Sequence, residues 1–231
     1  MCYLLRMWIK DKVRALPGGA ALLNRIRNIR AEKIDSSGDY WEERYRNGGH
    51  SGAGSYGRLA RFKAEFLNDF VKSNDIKSVI EFGSGDGAQL TLADYPRYTG
   101  VDVSHSALAK TRDMFKNRAD ITFVHASEYR PGTKAELALS LDVIYHLVED
   151  EAYDGYMQEL FDAATRYVII YSSNDARGFV SPHVRHRKFD SWVTKHRPDF
   201  RLMAHKPNPY PEDPADAENT SFADFYVFAK A

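Results

Sequence analysis

The sequence lacks several features that would assign a protein of 231 residues to a class directly. Its one cysteine is Cys2, so no disulfide can form within the chain, which favours a reducing compartment. No apolar run is long enough to span a bilayer. Arg6 and Lys10 interrupt the apolar residues at the N-terminus, which also lacks the cleavage site of a signal peptide. We therefore expect a cytoplasmic protein.

The chain also lacks a net charge, so its overall charge gives no indication of nucleic acid as a partner, and we predict none. The charge is unevenly distributed, however. Residues 1–33 carry eight Lys or Arg against two acidic residues, a net charge of +6, which leaves −6 for the remainder. This basic, partly apolar segment favours peripheral contact with the anionic inner face of a membrane, or binding to an acidic partner. A solvated terminal helix is the alternative.

Strand and helix patterns alternate along most of the chain, without repeats or low-complexity tracts. The predicted strands lie in 77–85, which enters a glycine turn, 97–104, 121–127, 136–147, which runs into a loop, 166–174, 200–206 and 221–230. The predicted helices are 58–74, 87–95, 104–117, 149–165 and 186–198. Such alternation predicts an α/β fold in which helices cover both faces of a mostly parallel sheet. The last two strands have no helix between them, which predicts an antiparallel terminal hairpin.

A glycine turn, VIEFGSGDGAQL, follows the first predicted strand. Gly83, Gly85 and Ala88 fit the pattern G-x-G-x-x-A, which lets a ligand approach the backbone at the start of a helix, although a tight turn without a ligand would have the same pattern. Asp102 ends the next strand, where a carboxylate can accept both ribose hydroxyls of a nucleoside. Glu81 would repel a pyrophosphate but suits a ligand that is cationic at this point.

Together these residues resemble the first motifs of the class I S-adenosylmethionine-dependent methyltransferases. The resemblance covers roughly residues 58–231 and implies a Rossmann-like, seven-stranded sheet, an S-adenosylmethionine cofactor and an enzyme of EC class 2.1.1. It implies that Gly83, Ser84 and Gly85 line the methionine end of the cofactor. It further implies that Asp102 holds the ribose and Val103 flanks the adenine.

The same resemblance places the segment HASEY beside the exocyclic amine of the adenine. The family often has an Asp there, whereas the polar candidates here are Ser127 and Glu128. We also predict cofactor contacts for Gln89, Ser104 and Leu141.

The segment 37–71 is dense in glycine before its helical part begins. Its glycines are residues 38, 48, 49, 52, 54 and 57. Aromatic residues such as Tyr45 lie between them, which argues against a plain flexible linker. We predict that residues 1–57 form a basic extension with a glycine-rich lid on the domain 58–231. Within it, Tyr45, Gly54 and Ser55 would lie near the cofactor, and Lys63 would reach the cofactor carboxylate.

The exit of the fourth strand, LDVIYHLVED, is where we expect the chemistry, because ligands bind beyond the carboxyl ends of parallel strands. His146 is the best candidate for a general base, since an unperturbed imidazole titrates near neutral pH. Asp142 would orient this base or touch the substrate, and Tyr145 would contribute to catalysis or close the pocket. A structural, hydrogen-bonded histidine is the alternative interpretation.

The segment HVRHRKF, residues 183–189, supplies basic residues that fit an acidic sugar or a phosphate, or else only a polar helix start. His183 and His186 have the spacing of metal ligands, but no carboxylate pair accompanies them, so we predict no metal site.

A narrower resemblance concerns the glycine-dense segment together with LSLDVIYHLVED and HVRHRKF. These are similar to a subgroup of bacterial methyltransferases found with glycosyltransferases in cell-surface polysaccharide pathways. The similarity implies O-methylation of a sugar hydroxyl on a glycan or its activated precursor, with a glycosyltransferase as a possible partner. The alternatives are a methyltransferase of a small hydrophobic or thiol metabolite, a nicotinamide-dependent oxidoreductase, and a non-catalytic partner of a glycosyltransferase.

Overall fold

The computed structural model describes residues 36–231, and its central feature is a seven-stranded sheet. The strands are β1 (Val79–Phe82), β2 (Tyr98–Asp102), β3 (Ile121–His125), β4 (Ala135–Leu141), β5 (Ala164–Ser172), β8 (Phe200–Lys206) and β9 (Asp224–Lys230), and a separate two-stranded hairpin is formed by β6 (Gly178–Ser181) and β7 (Val184–His186). The order across the main sheet is β3-β2-β1-β4-β5-β9-β8. The first five strands in this order are parallel, whereas β9 runs antiparallel to both β5 and β8.

Helices cover both faces of this sheet. They are α1 (Ser37–Arg46), α2 (Gly57–Ser73), α3 (His105–Met114), α4 (Asp150–Ala163) and α5 (Phe189–His196). The side chains of β4 alternate between two cores, because successive residues of a strand point to opposite faces. Leu139 packs with Leu67 of α2, while Ala138 packs with Met157 of α4 and Phe189 of α5.

The predicted alternation and the antiparallel terminal hairpin are confirmed, and so is the helix predicted over 58–74. Ser104 is the N-cap of α3, as its position predicted, since its side chain accepts from the Ala107 N–H. Among residues 36–231, no helix is long and apolar enough to cross a membrane. The basic residues 1–33, with their predicted membrane contact, lie outside the described part of the chain.

Two predicted elements were wrong in extent. The helix predicted over 87–95 is only a 3-10 turn, Gln89–Leu92, because Ala93 is already extended and Pro96 disfavours a helical residue before it. The fourth strand ends at Leu141, where the predicted exit begins, and Asp142 takes a left-handed φ of 59° and leads into the short helix Ile144–His146. The β6–β7 hairpin precedes α5, where a helix had been predicted to begin at residue 186.

Candidate active site

A cavity of about 630 Å³ opens beyond the carboxyl ends of β1, β2 and β4. This volume lies within the usual range for small-molecule sites. The predicted site residues that line the cavity are Tyr45, Ser55, Lys63, Glu81, Gly83, Ser84, Gly85, Gln89, Asp102, Val103, Leu141, Asp142 and His146. The sheet topology brings these residues together from segments far apart in the sequence, and their individual roles remain predictions.

Four predicted residues do not line this cavity. Tyr145 lies behind it and donates a 3.0 Å hydrogen bond to Asp142 Oδ1. Gly54 packs against the same carboxylate, since a Cβ built there would lie 2.6 Å from Asp142 Oδ2. Ser104 is fully buried as the cap of α3. Ser127 is exposed and hydrogen-bonds the ring of His125 at 2.7 Å.

The two polar residues predicted beside the adenine amine do not line the cavity, whereas Val103 does. Ser127 and Glu128 belong to a short 3-10 helix, and both are exposed outside the cavity. Ala126 of the same helix lines the cavity instead and contributes no polar side chain. The sequence HASEY has polar residues at the expected place, but it does not reveal that the turn directs Ala126 into the cavity instead of Ser127 or Glu128.

Two backbone N–H groups, one of them from the glycine turn, bind the carboxylate that ends β2. Asp102 Oδ2 accepts from Gly85 N and Oδ1 accepts from Ser104 N, each at 2.8 Å. Burial raises the pKa of Asp102, which these hydrogen bonds partly oppose. Gly83 and Gly85 have φ angles of 83° and 59°, a region that favours glycine. The Asp102 carboxylate and the two glycines therefore line the same cavity.

Glu81 is a second buried carboxylate in this cavity. The Tyr98 hydroxyl donates a 2.7 Å hydrogen bond to Glu81 Oε2. Burial raises the pKa of Glu81 to about 7, although the Tyr98 hydrogen bond and the nearby Lys63 ammonium oppose the shift. Its charge at neutral pH is therefore sensitive to any ion that enters the cavity.

A third carboxylate, Asp142, pairs with Lys63 across the cavity wall. Lys63 Nζ lies 2.6 Å from Asp142 Oδ2, and the lysine side chain is only 1% exposed. Because a lysine ammonium carries three donors, this pair leaves N–H groups for other acceptors. The cavity is therefore lined by one buried cation and by the carboxylates of Glu81, Asp86, Asp102 and Asp142, an excess of negative charge that suits a cationic ligand.

His146 has a defined tautomer. Its Nδ1 lies 2.8 Å from the carbonyl oxygen of His183, which can only accept, so Nδ1 carries the proton and Nε2 has the lone pair. Trp41 packs edge-on against the ring with centroids 4.8 Å apart. Burial lowers the pKa of His146 to about 4, and the imidazole is therefore neutral at physiological pH.

The lid predicted from the glycine-dense segment is fastened to the glycine turn through Asp86. This carboxylate accepts from Ser51 N at 3.0 Å, Ser51 Oγ at 2.8 Å and the Tyr56 hydroxyl at 2.9 Å. Tyr45 of α1 is hydrogen-bonded to the same Ser51 hydroxyl at 2.8 Å. These anchors were not predicted, although the motif GSGDG places Asp86 between two of its glycines.

Other residues at the cavity were also not predicted. Ser37 donates two hydrogen bonds, from its N–H and its hydroxyl, to Glu149 at the start of α4. Glu149, Tyr156 and Glu159 line the cavity, and the last two show that it extends along α4. The helical pattern of α4 predicted its buried face but not that the adjoining face borders a cavity.

The basic segment 183–189 forms part of the β6–β7 hairpin. Arg185 and Arg187 both pair with Asp150, and His186 is buried against Ser173. Both arginines therefore share one carboxylate, which balances only one of their two positive charges. Within residues 36–231, no group of three or more His, Cys, Asp or Glu side chains is arranged to hold a metal ion.

No protein-family model matches the chain, and no curated protein matches it significantly in sequence. Solved structures do match. The methyltransferase domain of a bacterial Hen1 has a TM-score of 0.58 and 23% identity, over 74% of this chain and 100% of that one. The N-methyltransferase NodS from Bradyrhizobium japonicum WM9, in complex with S-adenosyl-L-homocysteine, has a TM-score of 0.65 and 15% identity, over 85% and 99% of the two chains.

Magnesium protoporphyrin IX methyltransferase from Synechocystis PCC 6803, solved with bound S-adenosylmethionine, has a TM-score of 0.55 and 15% identity, over 75% of this chain and 81% of that one. Identities this low establish the fold alone. The chain has the Rossmann-like fold of the class I S-adenosylmethionine-dependent methyltransferases.

Proposed function

We propose that this protein is an S-adenosylmethionine-dependent methyltransferase. The observation that carries the proposal is that Glu81, Asp102 and the glycine turn between them in the sequence line one cavity. The known structures with this fold include proteins solved with S-adenosylmethionine or its demethylated product. A dinucleotide would instead bring a pyrophosphate towards Glu81, which disfavours a nicotinamide-dependent oxidoreductase.

The residues present fit this cofactor. Two buried side-chain oxygens in the cavity, Ser84 Oγ and Gln89 Oε1, have no hydrogen-bond partner among the described residues and so have capacity for a ligand. Asp102 would hold the ribose hydroxyls. The remaining N–H groups of Lys63 would bind the carboxylate at the methionine end, and Glu81 would lie near its ammonium.

When bound, the cofactor supplies an electrophilic methyl group on a sulfonium ion. The protein contributes alignment, exclusion of water and acceptance of a proton. His146 would take the last role, and support for this is that its Nδ1 proton is held by the His183 carbonyl while its Nε2 lone pair remains. Trp41, Tyr45 and Ser51 line the cavity and, as part of the predicted lid, would limit access of water.

The acceptor we propose is a sugar hydroxyl of a glycan or its activated precursor. Support comes from the resemblance of the lid and of LSLDVIYHLVED to methyltransferases of polysaccharide pathways, and from the aromatic ring of Trp41, which lines the cavity. Aromatic faces are suited to stacking on the apolar face of a sugar.

A small hydrophobic or thiol metabolite is the alternative acceptor. The neighbouring structures themselves include small-RNA, protoporphyrin and N-methyltransferases, so fold does not select among them. Pairing with a glycosyltransferase, in the cytoplasm or at the inner face of a membrane, is part of the glycan proposal.

The test is an acceptor screen that measures release of S-adenosylhomocysteine. We expect release with sugar nucleotides, lipid-linked sugars or polysaccharide extracts, and none with RNA. Release with RNA or thiols alone would overturn the sugar assignment. His146→Ala should keep cofactor affinity and lose turnover by about 100-fold or more. Undiminished turnover would exclude His146 as the base.

A further inference from the structure

Glu42 of α1 occupies the position of an anion at the start of α3. Its Oε2 accepts from Ser104 Oγ at 2.7 Å and from Ser106 N at 3.1 Å, and its Oε1 accepts from Ser106 Oγ at 2.6 Å. Although burial acts to raise it, these hydrogen bonds hold the pKa of Glu42 at about 2. A carboxylate is favoured here because the first N–H groups of a helix have no partners within it.

Ser104 connects Glu42 to the carboxylate proposed to bind ribose. Its N–H donates a 2.8 Å hydrogen bond to Asp102 Oδ1, and its hydroxyl accepts from Ala107 N at 3.0 Å. The single hydroxyl proton is then directed to Glu42. Ser104 is completely buried, so its three hydrogen bonds fix one orientation of the backbone that follows Asp102.

The second Asp102 oxygen is held from the lid side of the turn. Asp102 Oδ2 accepts from Gly85 N, and the next residue, Asp86, is the anchor of Ser51. Glu42 therefore contacts the residues that follow β2, and Ser51 contacts the glycine turn. Both come from the segment that precedes α2. Each oxygen of Asp102 accepts a hydrogen bond from a backbone N–H, and both N–H groups lie beside residues that this segment contacts.

We propose that Glu42 is a positioning residue for the cofactor: it holds Ser104, and through it the Asp102 carboxylate, in the orientation that accepts the ribose hydroxyls. This inference rests on the proposed function. It assigns to α1 a role beyond covering the cavity, because docking of α1 and binding of ribose become energetically coupled. This coupling requires that the Asp102 carboxylate can accept hydrogen bonds from the ribose hydroxyls.

A double-mutant cycle on S-adenosylhomocysteine affinity tests the coupling. Glu42→Ala should weaken binding about tenfold in the wild-type background but less than about twofold in Asp102→Asn, where the ribose contact is already impaired. Amide exchange at residues 104 and 106 should become faster in the same variant. Glu43→Ala is the matched control, since that side chain on the same helix has no hydrogen bond or ion pair among the described residues and should change neither quantity.

Three results would overturn the positioning role. They are unchanged affinity in Glu42→Ala, an equal loss in both backgrounds, which would indicate general destabilisation, and an equal loss in the Glu43→Ala control. If Glu42→Ala does not fold, Glu42→Gln and Ser106→Ala, which keep the Ser104 contact possible, are measured in the same cycle. Failure of the wild-type chain to bind S-adenosylhomocysteine would instead refute the proposed function itself.

Discussion

Lys63 Nζ lies 2.6 Å from Asp142 Oδ2, and this ion pair joins α2 to the exit of β4 inside the protein. Asp142 also accepts from the Tyr145 hydroxyl and adopts a left-handed φ of 59°. Such a backbone conformation in a residue other than glycine is uncommon and tends to occur at functional sites. The pair lies where the methionine end of the proposed cofactor would bind.

Breaking this pair should destabilise the protein. Lys63→Met leaves the Asp142 carboxylate with only the Tyr145 hydrogen bond, and we expect a loss of about 3 kcal/mol in the free energy of unfolding. Adding Asp142→Asn should recover part of the loss, because asparagine tolerates the left-handed conformation and needs no counter-ion. Urea unfolding measures both.

The control is Lys116→Met, which removes an exposed ion pair with Asp113 and should change the stability little. Equal losses in the Lys63 and Lys116 variants would contradict a structural role for the buried pair.

Glu81 should make ligand binding depend on pH. Because burial raises its folded-state pKa from 4.5 to about 7, protonated Glu81 stabilises the fold below pH 4.5, and this contribution is lost as the pH rises through 7. An ammonium group beside Glu81 favours the ionised form. The affinity for S-adenosylhomocysteine should therefore increase about tenfold between pH 5.5 and 7.5, with proton release visible as a buffer-dependent enthalpy in calorimetry. Glu81→Gln should remove this pH dependence. A wild-type affinity that does not vary with pH would contradict a contact between Glu81 and the ligand.

Gly85 lies directly beneath the lid. A Cβ built there would lie 2.4 Å from Ser51 Oγ, an atom already fixed by Asp86, and the φ of 59° adds backbone strain. Gly85→Ala should therefore displace the lid and lower S-adenosylhomocysteine affinity by tenfold or more, as titration calorimetry would show.

Gly132→Ala is the matched control, since its φ of 96° imposes similar strain but a Cβ there meets nothing within 4 Å. Its affinity should be unchanged. A comparable loss of affinity in both variants would point to backbone strain and not to the lid contact.

The His146 ring should remain neutral with its proton on Nδ1 across the physiological range. Nitrogen-15 NMR of the imidazole should report this tautomer from pH 6 to 8 and a titration midpoint near 4, because burial disfavours the imidazolium. A midpoint near 6.5, or a proton on Nε2, would show that the lone pair is not presented as described.

Most of the fold was predictable because its strands have distinct patterns. β5 contains the continuous apolar run YVIIY, and β4 is apolar apart from Glu136 and Ser140, as expected of strands covered on both faces. The β6–β7 hairpin was not predictable, since its strands have only four and three residues and little alternation. The helix predicted after the glycine turn was wrong because Pro96 and the short connection to β2 leave no room for a helix, although the apolar residues have helical spacing.

In the candidate site, the sequence predicted the residues fixed by strand ends better than those fixed by turns. Glu81, Asp102 and Asp142 follow from their positions at the ends of β1, β2 and β4. Whether Ser127 or Ala126 faces the cavity depends on the path of one 3-10 turn. The hydrogen bonds of Glu42 and Asp86 join segments distant in sequence, and no local pattern indicates them.

The central claim is that the cavity between Glu81 and Asp102 binds S-adenosylmethionine. Calorimetric titration of the full chain with S-adenosylhomocysteine and with NAD tests it most directly. We predict one S-adenosylhomocysteine bound per chain, at least tenfold weaker binding in a folded Asp102→Asn variant, and no binding of NAD. Binding of NAD without S-adenosylhomocysteine, or an Asp102→Asn variant with wild-type affinity, would contradict the account.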